Sequence, residues 1–305
     1  MQTTDTVLMI RPAQFAFNPD TAGNNRFQRA LLEPAEAQAR ALEEFDGYVA
    51  TLRGAGVDVL VVQDSPAPHT PDSIFPNNCW SSHADGRLVV YPMEGANRRL
   101  ERRKGVLEVL DRHYRIRETV DLSQLEEQGL FLEGTGSMVL DRENRISYAC
   151  YSGRTHAEAL NRFAERLDYR LCAFHALDRG GVPIYHSNVM MSVGRSLAIV
   201  CLQAVRDSSE RQRLERQLHD TGKETLPLDL AQLEGFAGNM LELHNKDGQP
   251  LLAMSRSAWG SLSSAQRAII ERHARPLVVK LDTIESIGGG SARCMLAEVH
   301  LPTRH

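Results

Sequence analysis

The feature of this sequence that most constrains its fold is a loose recurrence of one pattern. In each copy a short apolar run, typical of a β-strand, leads through a polar stretch into a segment with apolar residues at spacings of three and four, typical of an amphipathic helix. The copies are separated by roughly fifty to eighty residues, which is too long for a short solenoid repeat. The apolar runs begin at Val7, Leu88, Ile146, Leu197 and Leu251.

This alternation of strands and helices predicts an α/β fold. Two arrangements produce it: an ordinary α/β domain, and five quasi-equivalent ββαβ units placed around an axis. The periodicity by itself leaves both open. Because no linker rich in Pro, Gly or Ser and no long run of charge divides the chain, residues 1–305 are expected to form one domain.

Local signals predict where several helices begin. Thr155 is placed as an N-cap, and so are the serines that begin SSERQ at Ser208 and SSAQR at Ser263. The segment RRLERRKGVLEVLDRH, residues 98–113, has the periodicity of a single helix.

Composition and charge exclude several classes of protein. Hydrophobic residues make up 42% of the chain and charged residues 24%, which is ordinary for a globular protein. A formal net charge of −4 gives no electrostatic basis for binding nucleic acid or an anionic membrane. The first residues lack the basic and apolar regions of a secretory signal, and no apolar run is long enough to span a membrane. A cytoplasmic protein with a small-molecule partner is therefore expected.

The cysteines match neither a disulfide framework nor a zinc signature, because they are odd in number and irregularly spaced. In a reducing cytoplasm one of them is available as a catalytic thiol. Cys294 differs from the others because it follows a glycine-rich loop, IGGGSAR, where backbone can approach a substrate closely. Arg293 beside it is a candidate for lowering the pKa of the thiol. The five cysteines are Cys79, Cys150, Cys172, Cys201 and Cys294.

Three further stretches carry candidate functional side chains. PHTPDSIFPNNCWSSHADG holds Asp72 and the pair Asn77–Asn78, a polar loop suited to a small polar substrate. FLEGTGSMVLD places Glu133 before two glycines, and YHSNVMM places His186 where it could transfer protons near neutral pH. Each stretch taken alone also has a structural interpretation, as a turn, a strand end or a buried histidine. Together they supply a nucleophile, an acid–base group and orienting groups.

In combination these motifs resemble a known family. FPNNCW, FLEGTGSMVLD, YHSNVMM and GGGSARCM, together with MIRPAQFAFNPDTAGNNRFQ at the start, are similar to the bacterial citrulline-utilisation hydrolase group of the pentein superfamily. The resemblance runs from about Met9 to Val299. It implies a five-bladed α/β propeller with a central active site, and it requires no metal or organic cofactor.

The resemblance also implies roles for individual residues. Cys294, His186 and Glu133 would form the catalytic set. Asp72 and Asn78 would lie in the stretch that binds the substrate nitrogens, with Asn77 beside them. Arg98 is similar to an arginine that holds the substrate carboxylate in dimethylarginine hydrolases, although the neighbouring Arg99 competes for this role.

One departure from the superfamily pattern bears on the substrate. Arginine deiminases and dimethylarginine hydrolases typically place an aspartate where this chain has Asn78. An amide offers a donor as well as an acceptor, and its NH₂ suits the oxygen of a neutral ureido group. Citrulline is therefore the expected substrate, with Asp72 and Glu133 still available for a cationic guanidinium.

Several alternatives stay open at this point. An amidinotransferase would use the same residues with an amine in place of water, and an arginine deiminase or dimethylarginine hydrolase would differ only in substrate. A non-catalytic binding protein for basic amino acids would need no nucleophile. The oligomeric state is also open, with a homo-oligomer among the alternatives. Residues 12–28, rich in Asn, are predicted to form a mobile lid over the site.

Overall fold

The computed structural model describes residues 1–103 and 105–304. Its strands within these residues form five sheets of three strands each. The strands are β1 (Thr6–Arg11), β2 (Asp58–Gln63), β3 (Trp80–Ser82), β4 (Arg87–Val90), β5 (Glu118–Asp121), β6 (Met138–Asp141), β7 (Ile146–Cys150), β8 (Arg170–Phe174), β9 (Met191–Val193), β10 (Leu197–Val200), β11 (Glu224–Pro227), β12 (Leu241–His244), β13 (Pro250–Ser255), β14 (Arg275–Val279) and β15 (Ala297–Glu298).

The helices range from single turns to a helix of 21 residues. The α-helices are α1 (Pro19–Ala22), α2 (Pro34–Gly54), α3 (Val106–His113), α4 (Gly134–Ser137), α5 (Ala157–Leu167), α6 (Ser187–Met190), α7 (Ser208–Asp220), α8 (Leu230–Glu234), α9 (Arg256–Ser261) and α10 (Ser264–His273). Further helical turns are the 3-10 segments Pro76–Asn78, Arg98–Arg103, Ser123–Gln128 and Leu202–Ala204, and the π-helical turn Ile284–Gly288.

All five sheets repeat one topology. In four of them the first strand is antiparallel to the second, and the second is parallel to the third: β3-β4-β5, β6-β7-β8, β9-β10-β11 and β12-β13-β14. A helix connects the second strand to the third in each, as a parallel pair requires. The predicted α/β class is therefore confirmed, and the five sheets fit five repeated units.

The remaining sheet is completed by the two ends of the described chain. β15 pairs antiparallel with β1 through Val7 and Glu298, and β1 pairs parallel with β2. Helix α2 connects β1 to β2. This sheet thus has the same topology as the others, with its first strand supplied by the far end of the sequence.

The longer helices pack across neighbouring units. Helix α2 contacts β2 of its own sheet and β14 of another, and α7 contacts β11 and β8 in the same way. Helix α5 buries Ala159, Leu160, Phe163 and Leu167 at helical spacing. Burying a large apolar side chain stabilises the fold by about 1.5–3 kcal/mol, so these stripes fix each helix against its sheets. None of the helices in the described part of the chain combines the length and the apolar character that crossing a membrane requires.

The helix-start predictions have mixed outcomes. Ser263 caps α10 and forms a capping box with Gln266, as predicted. Helix α7 is instead capped by Asp207, whose carboxylate accepts from the Glu210 N–H. The Thr155 prediction is wrong because α5 starts after His156, while Thr155 forms β-bridges with Leu132 and Ser152.

The predicted single helix over residues 98–113 is also wrong. A 3-10 segment ends at Arg103, and α3 begins at Val106 after Gly105, whose φ is 76°. Lys104, which the prediction included, lies outside the described residues. A glycine in the left-handed conformation interrupts a regular helix. The apolar periodicity of the sequence therefore continues across a break in the helix.

Candidate active site

The site residues occupy one recurring position in the fold. In each unit a short turn precedes the first strand of the sheet. The turns before β3 and β6 contact each other, and so do those before β6 and β9. One site residue lies in each turn: Asn78 before β3, Glu133 before β6, His186 before β9, Asn239 before β12 and Cys294 before β15.

Two glycines allow these turns to pack closely. A Cβ on Gly134, whose φ is 47°, would overlap the backbone oxygen of Asn77. A Cβ on Gly136 would overlap the side chains of Asn78 and His186. The glycines of FLEGTGSMVLD therefore bring Asn78 and His186 to the same spot, because any side chain there would separate them.

Glu133 and His186 form a buried hydrogen-bonded pair. The Nε2 atom of His186 lies 2.9 Å from Oε2 of Glu133, and both side chains are at most 2% exposed. A carboxylate only accepts, so Nε2 carries the hydrogen and Nδ1 keeps a free lone pair. Two guanidiniums flank the same carboxylate oxygen, Arg154 at 3.5 Å and Arg98 at 3.6 Å.

This environment sets the charge of both partners. Burial lowers the pKa of His186 to about 4, against the pull of the Glu133 hydrogen bond. Burial would raise the pKa of Glu133, but Arg154, His186 and Arg98 together hold it well below its ordinary value. At neutral pH the pair is therefore a carboxylate and a neutral imidazole, the arrangement of a histidine ready to accept a proton.

Cys294 contacts amides through its sulfur. The Nδ2 atom of Asn239 lies 3.3 Å from Sγ, and Nδ2 of Asn188 lies 3.5 Å from it. Arg293 does not serve the thiol as its sequence position suggested. Its guanidinium donates to the Leu296 carbonyl at 2.9 Å and pairs with Glu298, in β15, at 2.8 Å.

A small cavity of about 10 Å³ joins the predicted catalytic and substrate residues. His186 and Cys294 both line it, together with Asp72, Asn78 and Arg98. Glu133 lies behind His186. Asn77 does not border the cavity, and its side-chain NH₂ donates to Thr135 at 3.3 Å within the packed turns, so its expected role in substrate binding stays a prediction.

Two polar atoms at this cavity have no partner among the described residues. Asp72 accepts through Oδ2 from Asn18 at 2.7 Å and from Thr21 at 3.1 Å, while its Oδ1 is buried and unpaired. Asn78 accepts through Oδ1 from Arg98, while its Nδ2 is buried and unpaired. Buried polar groups are rarely left without a hydrogen bond, so a free acceptor and a free donor border one cavity.

The Arg98 guanidinium is hydrogen bonded to Glu101 and Asn78 within the protein. Its Nε lies 2.8 Å from Glu101, its Nη2 donates to Glu101 at 3.0 Å, and its Nη1 donates to Asn78 at 2.9 Å. Burial raises the pKa of Glu101 to about 7 in spite of this pairing. These contacts support a role in orienting Asn78, and they do not support the expected hold on a substrate carboxylate. Arg99 instead donates to the backbone oxygens of Met93 and Glu94.

Sequence reasoning missed two residues of the site. Arg154 borders the cavity, is 2% exposed and lies over the ring of Tyr185 at 5.0 Å. Its position between β7 and α5 has no motif that could have identified it. Asn239 could have been found from the recurrence, because it occupies the same place before β12 as the other site residues do before their strands.

The segment predicted as a lid covers the cavity. Asn25 donates to the Gly289 carbonyl at 3.2 Å, and Gln28 donates to the Gly288 carbonyl at 2.9 Å, which joins the segment to the glycine loop before Cys294. A larger cleft of about 680 Å³ lies beyond it and shares Tyr185 with the cavity. The segment is thus in place over the site, and its mobility stays a prediction.

Comparisons with known proteins agree with this geometry. A family model described as N,N dimethylarginine dimethylhydrolase, eukaryotic, matches residues 11–301. No curated protein gives a match. The apo form of ArgZ, an arginine dihydrolase from the ornithine–ammonia cycle in cyanobacteria, is 18% identical with a TM-score of 0.75; the alignment covers 97% of this chain and 41% of ArgZ.

Two further solved structures have similar folds. The N-terminal domain of ArgZ bound to product is 19% identical, with a TM-score of 0.74 and coverage of 97% of this chain and 98% of that domain. A dimethylarginine dimethylaminohydrolase variant in adduct with S-methyl-L-thiocitrulline is 14% identical, with a TM-score of 0.67 and coverage of 97% and 99%. This chain therefore spans 41% of full-length ArgZ and nearly all of its N-terminal domain.

The five repeated units, the grouped turns and these similarities define a class, the pentein superfamily of guanidine-modifying enzymes. The resemblance found in the sequence is thereby confirmed. Because the family model spans nearly the whole chain, the protein belongs to the N,N dimethylarginine dimethylhydrolase family. The description of this family names a hydrolase, and its members act on carbon–nitrogen bonds other than peptide bonds.

Proposed function

We propose that this protein is a cysteine hydrolase that cleaves a carbon–nitrogen bond at the ureido or guanidino carbon of a citrulline- or arginine-type amino acid, with citrulline preferred. Cys294 is the nucleophile, His186 transfers protons, and Glu133 holds His186 in the reactive tautomer. In this proposal the five units form a single propeller domain around the active site.

The orientation of the Asn78 amide is the observation that carries the citrulline preference. A guanidinium has donors only, so the Asn78 atom that faces Arg98 must be the oxygen. The Asn78 nitrogen is then the atom left free at the cavity. A ureido group has an oxygen to accept from this N–H, whereas a guanidinium has only N–H groups and would place donor against donor.

Asp72 complements this donor. Its free Oδ1 is an acceptor for the NH₂ of a ureido group, which therefore meets one acceptor and one donor of matching sense. A site built to hydrogen bond a substrate group discriminates strongly against an analogue that leaves its buried polar atoms unpaired. Asp72 and Asn78 together thus favour a neutral urea over a cation.

The geometry supports covalent catalysis. The Cys294 thiol gives up its proton to neutral His186, which lines the same cavity, and the thiolate forms a carbon–sulfur bond at the ureido carbon. The imidazolium, held by Glu133, returns the proton to the departing nitrogen as the carbon–nitrogen bond breaks. Neutral His186 then takes a proton from water, and the hydroxide displaces the thiolate. The carbamic acid released decomposes, so citrulline and water give ornithine, ammonia and carbon dioxide.

A second candidate substrate is arginine or a methylated arginine. The family description names dimethylarginine, ArgZ is an arginine dihydrolase, and the free oxygen of Asp72 suits a cation as well as a urea. With arginine the first hydrolysis gives citrulline and ammonia. An amidinotransferase would differ only in an amine acceptor. Simple binding of basic amino acids leaves the buried thiol and the paired histidine without a role.

The test is ammonia release from purified protein with citrulline, arginine, agmatine, methylated arginines and succinylarginine. We expect release from citrulline, with ornithine as co-product, and loss of at least about 10⁴-fold in Cys294→Ala, since covalent catalysis needs the thiol. Asn78→Asp replaces the donor by an acceptor and is expected to lower kcat/KM for citrulline by about 100-fold relative to arginine.

Three outcomes would overturn parts of this proposal. Activity retained in Cys294→Ala would remove the nucleophile assignment. A preference for arginine in the natural chain, unchanged in Asn78→Asp, would remove the ureido argument. Product formation only in the presence of glycine or another amine would replace hydrolysis by amidino transfer.

A further inference from the structure

The turn before β12 occupies the same place in its unit as the four turns that carry the proposed catalytic and substrate-binding residues. Four of the five turns carry groups of the proposed mechanism, and the fifth carries Asn239, which is completely buried. A Cβ on Gly238 would overlap the backbone of Val189 and Met190. This close approach brings the fifth turn against α6, next to the turn of His186. The close packing at Gly238 therefore fixes the position of Asn239.

The contacts of Asn239 leave no doubt about the orientation of its amide. Its Oδ1 accepts from the backbone N–H of Arg293 at 3.0 Å, and its Nδ2 donates to the Asn188 carbonyl at 2.9 Å. A backbone N–H only donates and a carbonyl only accepts, so the amide has one allowed orientation. The atom that lies 3.3 Å from Sγ of Cys294 is consequently a hydrogen-bond donor.

A donor at this place acts on the charge of the sulfur. Cys294 is 3% exposed within an apolar cluster. A hydrogen bond donated to a thiolate favours the charged form of the sulfur. Among the described residues, the side-chain hydrogen bonds to Sγ come from Asn239 and, at 3.5 Å, from Asn188.

We infer that Asn239 is a catalytic residue that stabilises the Cys294 thiolate and fixes its position through the neighbouring Arg293 backbone. This role rests on the proposed function, in which Cys294 is the nucleophile. In this inference neutral amides stabilise the thiolate. Asn239 makes the shorter contact to Sγ, and Asn188 makes the longer one.

The test is the rate of iodoacetamide alkylation of Cys294 as a function of pH, measured by mass spectrometry without substrate. Burial raises the pKa of Cys150 and Cys201 to about 11, so these thiols react slowly near pH 7. Asn239→Asp keeps the shape and an oxygen to accept from Arg293, but replaces the N–H at sulfur by a carboxylate oxygen, whose negative charge also opposes a thiolate. Asn239→Ala removes the whole amide. Asn245→Asp is the matched control, a buried asparagine whose oxygen accepts from Asp247 and Gln249 in another turn.

We expect both Asn239 variants to alkylate about 10- to 100-fold more slowly than the natural chain at pH 7, and to approach its rate at high pH. The Asn245→Asp control should keep the natural profile. A profile that does not move in either Asn239 variant would overturn the inference, even if turnover falls, because a merely structural role changes turnover without changing thiol ionisation.

The readout separates this inference from the proposed function. If the proposed function fails, Cys294→Ala keeps its turnover whatever the alkylation profile shows. If only the role of Asn239 fails, Cys294→Ala loses turnover while the alkylation profile of the Asn239 variants stays natural. Circular dichroism and thermal unfolding identify any variant that does not fold, and Asn239→Asp, which changes no volume, remains interpretable if Asn239→Ala unfolds.

Discussion

The two sides of the cavity differ in the charge of the residues that form them. The ionic side, formed by Asp72, Arg98, Glu101, Glu133 and Arg154, holds buried acidic and basic groups in pairs. The amide side, formed by Asn188, Asn239 and Cys294, has neutral donors around a thiol. Moving a charge into a buried place is costly unless it is paired. The ionic side is charged before substrate arrives, and the amide side becomes charged only when the thiol ionises.

This contrast suggests that the two sides affect different steps of the proposed reaction. On the ionic side, burial holds His186 neutral and Arg98 holds Asn78 in one orientation, so reaction requires little rearrangement there. On the amide side, the donors are neutral. They can therefore contact either a thiol or a thiolate, and no unpaired charge remains when the sulfur is protonated. Changes on the ionic side should therefore alter proton transfer and specificity, and changes on the amide side should alter the ionisation of sulfur.

The largest expected effect comes from Glu133→Gln, which removes the charge next to His186 and keeps the shape. The imidazolium formed during reaction loses its partner, and the tautomer is no longer fixed by a pure acceptor, so kcat should fall by about 10⁴-fold. Steady-state assays with citrulline measure this loss. The matched control is Glu126→Gln, which removes a glutamate paired with Arg102 at 2.6 Å outside the cavity. A loss of less than ten-fold in Glu133→Gln would show that the two sides do not differ as described.

A smaller effect is expected from Arg98→Lys, which keeps the positive charge but loses the fork that reaches both Glu101 and Asn78. Asn78 is then free to rotate and to present its oxygen to a cation, so the preference for citrulline over arginine should fall by about ten- to thirty-fold. The ratio of kcat/KM for the two substrates measures it. Arg102→Lys changes a neighbouring arginine paired with Glu126 and should leave the ratio unchanged. An unchanged ratio in Arg98→Lys would show that the orientation of Asn78 has another cause.

The smallest effect is expected from acidification. His186 must be neutral to accept the thiol proton, and its pKa in the folded protein is about 4. The rate should therefore hold from neutral pH down to about 4 and then fall about ten-fold for each further pH unit. Because this folded-state pKa lies below the ordinary value, the unfolded chain binds more protons between pH 4 and 6.5, and the free energy of unfolding should decrease as pH falls through that window.

Measurements of kcat/KM from pH 3 to 7, with thermal unfolding at each pH, separate the two consequences. An acid limb near pH 6.5 in a fully folded sample would contradict the burial of His186 described here. In Glu133→Gln the limb should lie at lower pH still, because the carboxylate that favours the protonated imidazole has been removed.

Much of the scaffold could be predicted from the sequence because the recurring apolar runs are the central strands of the sheets. Val7, Leu88, Ile146 and Leu197 all lie in the second strand of a unit, which is almost entirely buried and therefore appears in the sequence as a continuous apolar run. The first strands are harder to predict. β15 has two residues and β3 has three, too few for any periodicity to appear.

The site could be predicted in part for a related reason. Glu133, His186 and Cys294 carry side chains whose chemistry is visible in the sequence, and glycines after Glu133 and before Cys294 mark close packing. Asn239 was missed because a single amide between Gly238 and Met240 has many structural explanations. The direction of Arg293 could not be predicted because it depends on Glu298 in β15, and no local pattern indicates which face of the turn offers an acceptor.

The closure of the first sheet by β15 has a consequence for the order in which the enzyme is made. As the chain emerges from the ribosome, β1 and β2 appear early but lack their third strand, while Asn78, Glu133, His186 and Asn239 follow one unit at a time. Cys294 comes after all of them, in the turn directly before β15. The same short stretch thus supplies the thiol and the strand that completes the first sheet. In the proposed mechanism a nascent chain can fold much of its scaffold without activity, because the nucleophile is made together with this last strand.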